Sequence, residues 1–177
     1  MDNAALAKRF RSLGSLGAAD LDAFASALKT RVLSPGQTLV EEGSAGDSVW
    51  LVWEGQLGVS LQVGRERVSL GRVGPGAIVG EVAFLDGGPA SATISATTSS
   101  TVLGLGQPAF DAVMAKNPRA ATAVHLALCR SLADHVRAAS ERVEELRSGM
   151  DTEMVDGAEP EGGILEALRS LLGFGDD

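Results

Sequence analysis

Tyrosine is absent from these 177 residues, cysteine occurs once, histidine twice, and aromatic side chains make up only 4% of the chain. The lone Cys129 excludes an internal disulfide and any multi-cysteine zinc site, and it fits a reducing compartment, so a cytoplasmic location is expected. Basic residues are also scarce: 15 Lys and Arg stand against 23 Asp and Glu, a net charge of -8. No nucleic acid or membrane partner is expected of such a surface, because phosphate binding needs clustered cations to displace counterions. The longest uncharged stretch, residues 87–110, is too rich in Ser, Thr, Gly and Pro for a membrane span. Lys8, Arg9 and Arg11 interrupt the one place where the apolar core of a secretory signal could sit, so none is expected.

Glycine, by contrast, is abundant at 22 residues, roughly 12% against a usual value of about 7%, which suggests a turn-rich β domain. Charge is uneven along the chain. Residues 1–147 hold 15 acids and 14 bases, a net of -1, whereas residues 148–177 hold 8 acids and 1 base, a net of -7. Residues 148–163 have no basic side chain and little apolar content, the composition of a disordered acidic linker. In the final segment, residues 164–177, Ile164, Leu165, Leu168, Leu171, Leu172 and Phe174 recur at helical spacing and predict a short amphipathic helix. Alone it is too short to be stable in water.

Between these ends the period of the apolar pattern changes twice. Residues 1–31 read as helical, with a segment around Ala4 to Arg11 and a second, opened by Ala19-Asp20, whose Leu21, Phe24 and Leu28 share a face. Residues 32–106 have a period of two. Leu57, Val59, Leu61 and Val63 alternate with Gln56, Gly58, Ser60 and Gln62, predicting a strand with one buried face, and after a turn at Gly64-Arg65-Glu66 the residues Val68 and Leu70 continue as its hairpin partner. Residues 48–53 are apolar on both faces, and Ala92, Ile94, Ala96, Leu103 and Leu105 supply further short strands, which suggests a closed β-roll. Residues 107–147 return to helix: Gln107-Pro108 opens one, and Asn117-Pro118 places an N-cap before a proline at the first turn of another. No glycine or proline interrupts residues 119–147, so a single helix of about 30 residues, roughly 45 Å long, is expected. Its stripe of Leu128, Leu132, Val136 (or His135), Ala139, Val143 and Leu146 has near-heptad spacing and predicts a parallel homodimer.

The ordered punctuation Pro35-Gly36, Glu42-Gly43, Gly46-Asp47, Gly55, Pro75-Gly76 and Gly80-Glu81 resembles the β-roll of the cyclic-nucleotide-binding domain family, over roughly residues 21–146. Gly80-Glu81-Val82-Ala83-Phe84-Leu85 looks like the family's phosphate-binding cassette, and Asn117-Pro118 with the helix behind it looks like the long helix of the catabolite activator protein group. The resemblance implies an α+β fold, an antiparallel jelly-roll-like β-roll flanked by N-terminal helices and a long C-terminal dimerisation helix. It also implies a ligand site at Gly80, Glu81, Val82, Ala83, Ala90, Ser91, Ala92 and, on the long helix, Ser140. Backbone N–H groups near Val82 and Ala83 would meet a phosphate at the start of a helix, and Glu81 would accept hydrogen bonds from ribose hydroxyls. A carboxylate there also stabilises the helix start with or without a ligand.

The cassette departs from the family's pattern at one place. Where the family usually has Pro-Arg-Ala-Ala-Thr, this chain reads Pro89-Ala90-Ser91-Ala92-Thr93, with Ala90 in the place of the phosphate-gripping arginine. Losing a charge-assisted contact of roughly 1.5–3 kcal/mol weakens binding by about 10- to 150-fold. Arg72 is a candidate substitute charge. His125 and Cys129 share a helix face four residues apart, but no third ligand or orienting carboxylate accompanies them, so they read as core packing rather than a metal site or a nucleophile pair. No phosphate loop or metal-hydrolase motif is present, so no enzyme, metal or cofactor is expected, and a cyclic nucleotide is the one ligand implied.

The acidic residues after the long helix offer nothing like the basic helix-turn-helix domain of the catabolite activator group. The expectation is therefore a dimeric, non-enzymatic regulatory or adaptor protein that signals to a protein partner through its tail, with the final amphipathic segment docking in a groove. The alternative is a working sensor for cyclic AMP, cyclic GMP or a cyclic dinucleotide, whose ligand repositions the dimer helices.

Overall fold

A computed structural model describes residues 3–10, 13–14 and 16–153. The chain divides into two compact units, Met1–Asp134 and His135–Asp177. The first unit contains α1 (Asn3–Arg9), α2 (Ala18–Ala27), eight strands, a short helix α3 (Glu81–Asp86), α4 (Gln107–Lys116) and the first part of α5 (Pro118–Glu153). The strands are β1 (Lys29–Leu33), β2 (Thr38–Val40), β3 (Ser48–Glu54), β4 (Leu57–Val63), β5 (Glu66–Val73), β6 (Ile78–Val79), β7 (Thr93–Ala96) and β8 (Ser100–Gly106). They form two four-stranded antiparallel sheets, ordered β1-β8-β3-β6 and β2-β7-β4-β5. The α+β class and the jelly-roll-like β-roll are thus as the sequence predicts.

The two apolar faces of β3 explain why its pattern does not alternate between apolar and polar. Val49 and Leu51 join a core with Leu103, Leu105, Ile78, the helical residues Leu6, Leu21, Phe24, Phe110 and Val124, and Phe10 just after α1. Val52 faces a second core inside the roll, with Leu33, Leu39, Leu57, Val79, Ile94 and Val102, and Trp50 packs against it. A strand sandwiched between two apolar layers has no wet face to fill with polar residues. Trp53 meets α1, its ring 6.4 Å from that of Phe10 and 4.6 Å from the Arg9 guanidinium, whose Nη1 also donates to the Trp53 carbonyl.

The hairpin β4–β5 differs from expectation. Its turn is Gly64-Arg65, yet Val63, Val68 and Leu70 are exposed rather than forming one buried face. The β4–β5 pairing shifts register between Val59 and Ser60, and β5 is an edge strand, bonded to a neighbour on one side only. The opening of α2 differs as well. Gly17 is its N-cap, and Asp20 lies within the first turn, where Oδ1 accepts from Asn117 Nδ2 at 2.9 Å. Asn117 itself caps α5: its Oδ1 accepts from the Ala120 N–H at 3.2 Å.

Helix α5 continues to Glu153, past the end expected at Arg147. A single interior glycine, Gly149, weakens a helix by about 1 kcal/mol and does not end it. Along its apolar stripe the residues part company. Leu128 is only 2% exposed and belongs to the core of the first unit, so it does not join the dimer seam expected of it. Leu132 is half-buried, whereas Val136 (59% exposed), Ala139 and Val143 (49%) are open. The side chain of Leu146 and the whole predicted docking segment, from Ile164 and Leu165 through Leu168, Leu171 and Leu172 to Phe174, lie outside the described residues, as do the linker residues after Glu153.

Candidate functional site

The site grows from a backbone conformation that only glycine takes easily. Gly80 ends β6 in the left-handed region, φ 81°, and a Cβ there would also lie 2.9 Å from the Ser48 carbonyl oxygen. This turn lets α3 start at once, with the Phe84 N–H bonded to the Gly80 carbonyl at 3.2 Å. Glu81, at the first helical position, is 3% exposed, and Ala83 and Phe84 are buried beside it. Gly87, also left-handed, caps the other end, where Asp86 Oδ1 accepts from the Gly88 N–H at 2.7 Å. Phe84 stands edge-on to Phe110 of α4, 5.6 Å between ring centroids, and Phe110 stands edge-on to His125 of α5 at 4.7 Å.

The loop between β2 and β3 lies across this helix. Ala45 bridges to Pro89, the Ala90 N–H donates to the Ser44 carbonyl at 2.8 Å, and the Gly43 N–H donates to the Ala90 carbonyl at 2.8 Å. Gly46 rests on Ala83 so closely that a Cβ on Gly46 would overlap that of Ala83. Ala90 is 7% exposed. Nearby, Thr93 Oγ1 accepts from the Glu42 N–H at 3.2 Å, which ties the end of the loop to β7.

Two cavities border the Gly46–Ala83 contact. The smaller, about 130 Å³, lies between β2, Trp50, Gly80, Ala83 and Ala90. The larger, about 400 Å³, opens toward Phe84, Gly88, Pro89 and Gln107. Ser44, Ala45, Gly46, Asp47 and Ala83 line both. The charged residues on their walls are Glu41 and Asp47, with no Lys or Arg among the lining residues. Trp50 borders the smaller cavity with its six-membered ring laid over Gly104, a position whose Cβ would run into the ring. Arg31 stands above it, its guanidinium 5.8 Å from the ring centroid.

Of the residues the sequence singled out, Gly80, Glu81, Val82, Ala83, Ala90, Ser91 and Ala92 fall on α3 and its two flanks, within one unit. Gly80, Ala83 and Ala90 line a cavity; Ser91 is exposed. Ser140 belongs to the second unit, where its hydroxyl donates to the Val136 carbonyl at 3.0 Å. Arg72 is exposed on β5 opposite Gly58 and lines neither cavity, so it does not supply the missing cation. His125 packs on Phe110 as expected, but Cys129 is exposed rather than in the core. Among the described residues no cluster of three or more metal-ligating side chains occurs, and no helix is long and apolar enough to cross a membrane. Trp50, Glu41 and Asp47 were not foreseen as parts of the site; the Gly46-Asp47 pair had been visible only as turn punctuation.

Comparison with known proteins places these features. Residues 30–117 match the model of the cyclic nucleotide-binding domain. A cAMP-dependent protein kinase regulatory subunit from Colletotrichum orbiculare is 37% identical over 90 residues, 51% of this chain and 22% of the relative. The chain spans between 22% and 29% of the length of four such curated relatives, this one included. Among solved structures, a cyclic nucleotide-binding domain from Methylobacillus flagellatus superposes with a TM-score of 0.73 at 21% identity, covering 81% of this chain and 84% of the other. The catabolite activator protein of Thermus thermophilus gives 0.63 at 25% identity, covering 77% and 62%.

Proposed function

Residues 30–117 belong to the cyclic nucleotide-binding domain family, and from that premise we propose that the chain is a non-enzymatic regulatory adaptor. It works in the cytoplasm as a parallel homodimer and passes its signal to a protein partner through the C-terminal tail. The observation that carries the reading is the exposed apolar series Val136, Ala139 and Val143 on α5. These residues continue the 4-3-4 spacing from Leu132, the spacing at which a second helix buries such a seam. The partner-facing role of Ile164 to Phe174 rests on their helical apolar spacing and the acidic stretch before them, which supplies reach.

The pocket of this adaptor lacks the phosphate arginine. Ala90 stands in its place, and the cavity walls carry acids only, so a cyclic phosphate meets repulsion where the family pattern offers a cation. A second reading, a working cyclic nucleotide sensor, is favoured by the left-handed Gly80 and the buried Glu81, the features that would receive phosphate and ribose. Light scattering decides the first reading: a dimer mass for the wild type is expected, and a monomer at all concentrations overturns it. Calorimetry with cyclic AMP, cyclic GMP and cyclic dinucleotides decides the second.

A further inference from the structure

We propose that the open edge of β5 takes an extended acidic segment of a protein partner as a further strand, one in which carboxylate and apolar side chains alternate. This surface belongs to the β4–β5 hairpin and includes no cassette residue. It adds a contact of its own to the regulatory reading and rests on neither the dimer nor the tail.

Backbone geometry comes first. The order β2-β7-β4-β5 leaves β5 with a neighbour on one side only. The two-residue turn Gly64-Arg65 closes on the pair Val63–Glu66, so this pair and Leu61–Val68 exchange the ladder bonds, while Gln62–Arg67 and Ser60–Ser69 turn their N–H and C=O groups outward. On the β4 side the alternation is visible: the Gln62 N–H leaves the ladder and donates to Glu42 Oε2 at 2.8 Å. A carboxylate thus already satisfies one outward donor of this hairpin. Arg67 and Ser69 present theirs on the other side, where no strand follows among the described residues. Such an unpaired edge is a template for another extended chain.

Side chains decide which chain. Residues paired across a ladder share a face of the sheet, so Val68 lies with Leu61, on the face that also carries Val63. Arg67 and Arg72 pair with Gln62 and Gly58, which are four apart, and so lie together on the opposite face. Val63, Val68, Leu70, Arg65, Arg67 and Arg72 are all exposed. One face of the edge is therefore apolar and the other cationic, in a chain whose net charge is -8. Glu66, beside the turn, is the hairpin's one acid. A strand laid along β5 places its residues on the two faces in turn: apolar side chains complete the Val68 face, and carboxylates at the intervening positions meet Arg67 and Arg72. A second copy of β5 would instead bring arginines to an edge already lined by arginines, and like charges across a ladder destabilise it.

NMR titration of the full chain with a short peptide alternating valine and glutamate, beside its valine–lysine counterpart, tests the proposal. The glutamate peptide is expected to bind about tenfold more tightly, a preference that shrinks as salt is raised. It should also slow hydrogen exchange at the Arg67 and Ser69 amides. Methylating alternate backbone nitrogens of that peptide, on the edge that meets β5, is expected to weaken it by roughly tenfold, a loss that a purely electrostatic contact would not show. Arg67→Glu with Arg72→Glu, both exposed, is expected to reverse the preference between the two peptides with the fold unchanged. Equal binding of the two peptides overturns the proposal, as does absence of binding by both at millimolar concentration or protection confined to residues outside 66–73. Binding of phosphatidylserine vesicles in place of the peptide would assign the face to a membrane and overturn it. Conversion of a wild-type dimer to a monomer by Val68→Thr would assign it to a second copy, with the same result. The mass of the wild type, on which the adaptor reading stands or falls, is measured separately from all of these.

Discussion

Replacing Ala90 with arginine restores the one cassette residue that this chain lacks, and the surroundings of Ala90 set what it should do. Its N–H and carbonyl are both bonded to the 43–47 loop, at 2.8 Å each, so the new side chain starts from a fixed point on the wall of the smaller cavity. One charge-assisted hydrogen bond to a phosphate contributes roughly 1.5–3 kcal/mol, which is about 10- to 150-fold in affinity. Glu41 and Asp47 line the same cavity and compete for the guanidinium, each by up to about 1 kcal/mol as partly screened pairs. The gain for cyclic AMP or cyclic GMP should therefore fall at the low end, near tenfold, and shrink as salt is raised. Forcing a long side chain into a cavity of about 130 Å³ should also lower the stability of the free protein by roughly 1–3 kcal/mol. For a unit of this size that is a fall in Tm of about 3–10 °C. Calorimetry and thermal unfolding read both quantities, and Glu81→Ala in the same background should reverse the gain. A folded Ala90→Arg variant that binds no cyclic nucleotide at millimolar concentration would refute the reasoning and show a pocket closed by packing.

Three further outcomes separate the parts of the molecule. Val136→Glu with Val143→Glu should yield monomers by light scattering with Tm changed by no more than about 2 °C, since both side chains are open to solvent; a persisting dimer would place the interface elsewhere. Leu128→Glu, seven residues before His135 on the same stripe but 2% exposed, should instead destabilise the fold by roughly 3 kcal/mol or more, because it buries an unpaired charge; circular dichroism melts check this, and an unchanged Tm would remove Leu128 from the core. Deleting residues 154–177 should leave Tm and mass unchanged while abolishing co-purification of the physiological partner, whereas a loss of several degrees with partner capture intact would show that the tail folds back on its own chain.

The contrast between Leu128 and Val136 also shows why the long helix α5 is only half legible in the sequence. Heptad spacing reports that side chains share a face, and Leu128, Leu132, Val136, Ala139 and Val143 do share one. It carries no information on which stretch of that face the chain's own core already covers. Leu128 sits among Val124, Phe110 and Leu105, residues contributed by three different elements, and no local pattern encodes that meeting. The hairpin shows the same limit for strands: the alternation of Leu57, Val59, Leu61 and Val63 identifies a face, but burial needs an opposite layer, and of these four only Leu57 is fully buried, in the core of the roll. The turns were more readable, because Gly80 and Gly87 adopt conformations that exclude most other residues, and such a constraint is local.

The pocket is legible in the sequence only where its chemistry is contiguous. Residues 80–93 announce a cassette and its missing arginine in a single run, and the structure keeps most of that run together. The electrical character of the site, however, arises from residues that are remote in sequence: Glu41 and Asp47 reach it because the β2–β3 loop is pinned through Ser44 and Gly43 to Ala90, and Trp50 reaches it because Gly104 leaves room for its ring. Seen as a run, Ala90 reads as the loss of a phosphate contact and hence as a weakened site. With Glu41 and Asp47 lining the same cavity, the alanine leaves its walls without a cation. The site is then changed in charge as well as weakened.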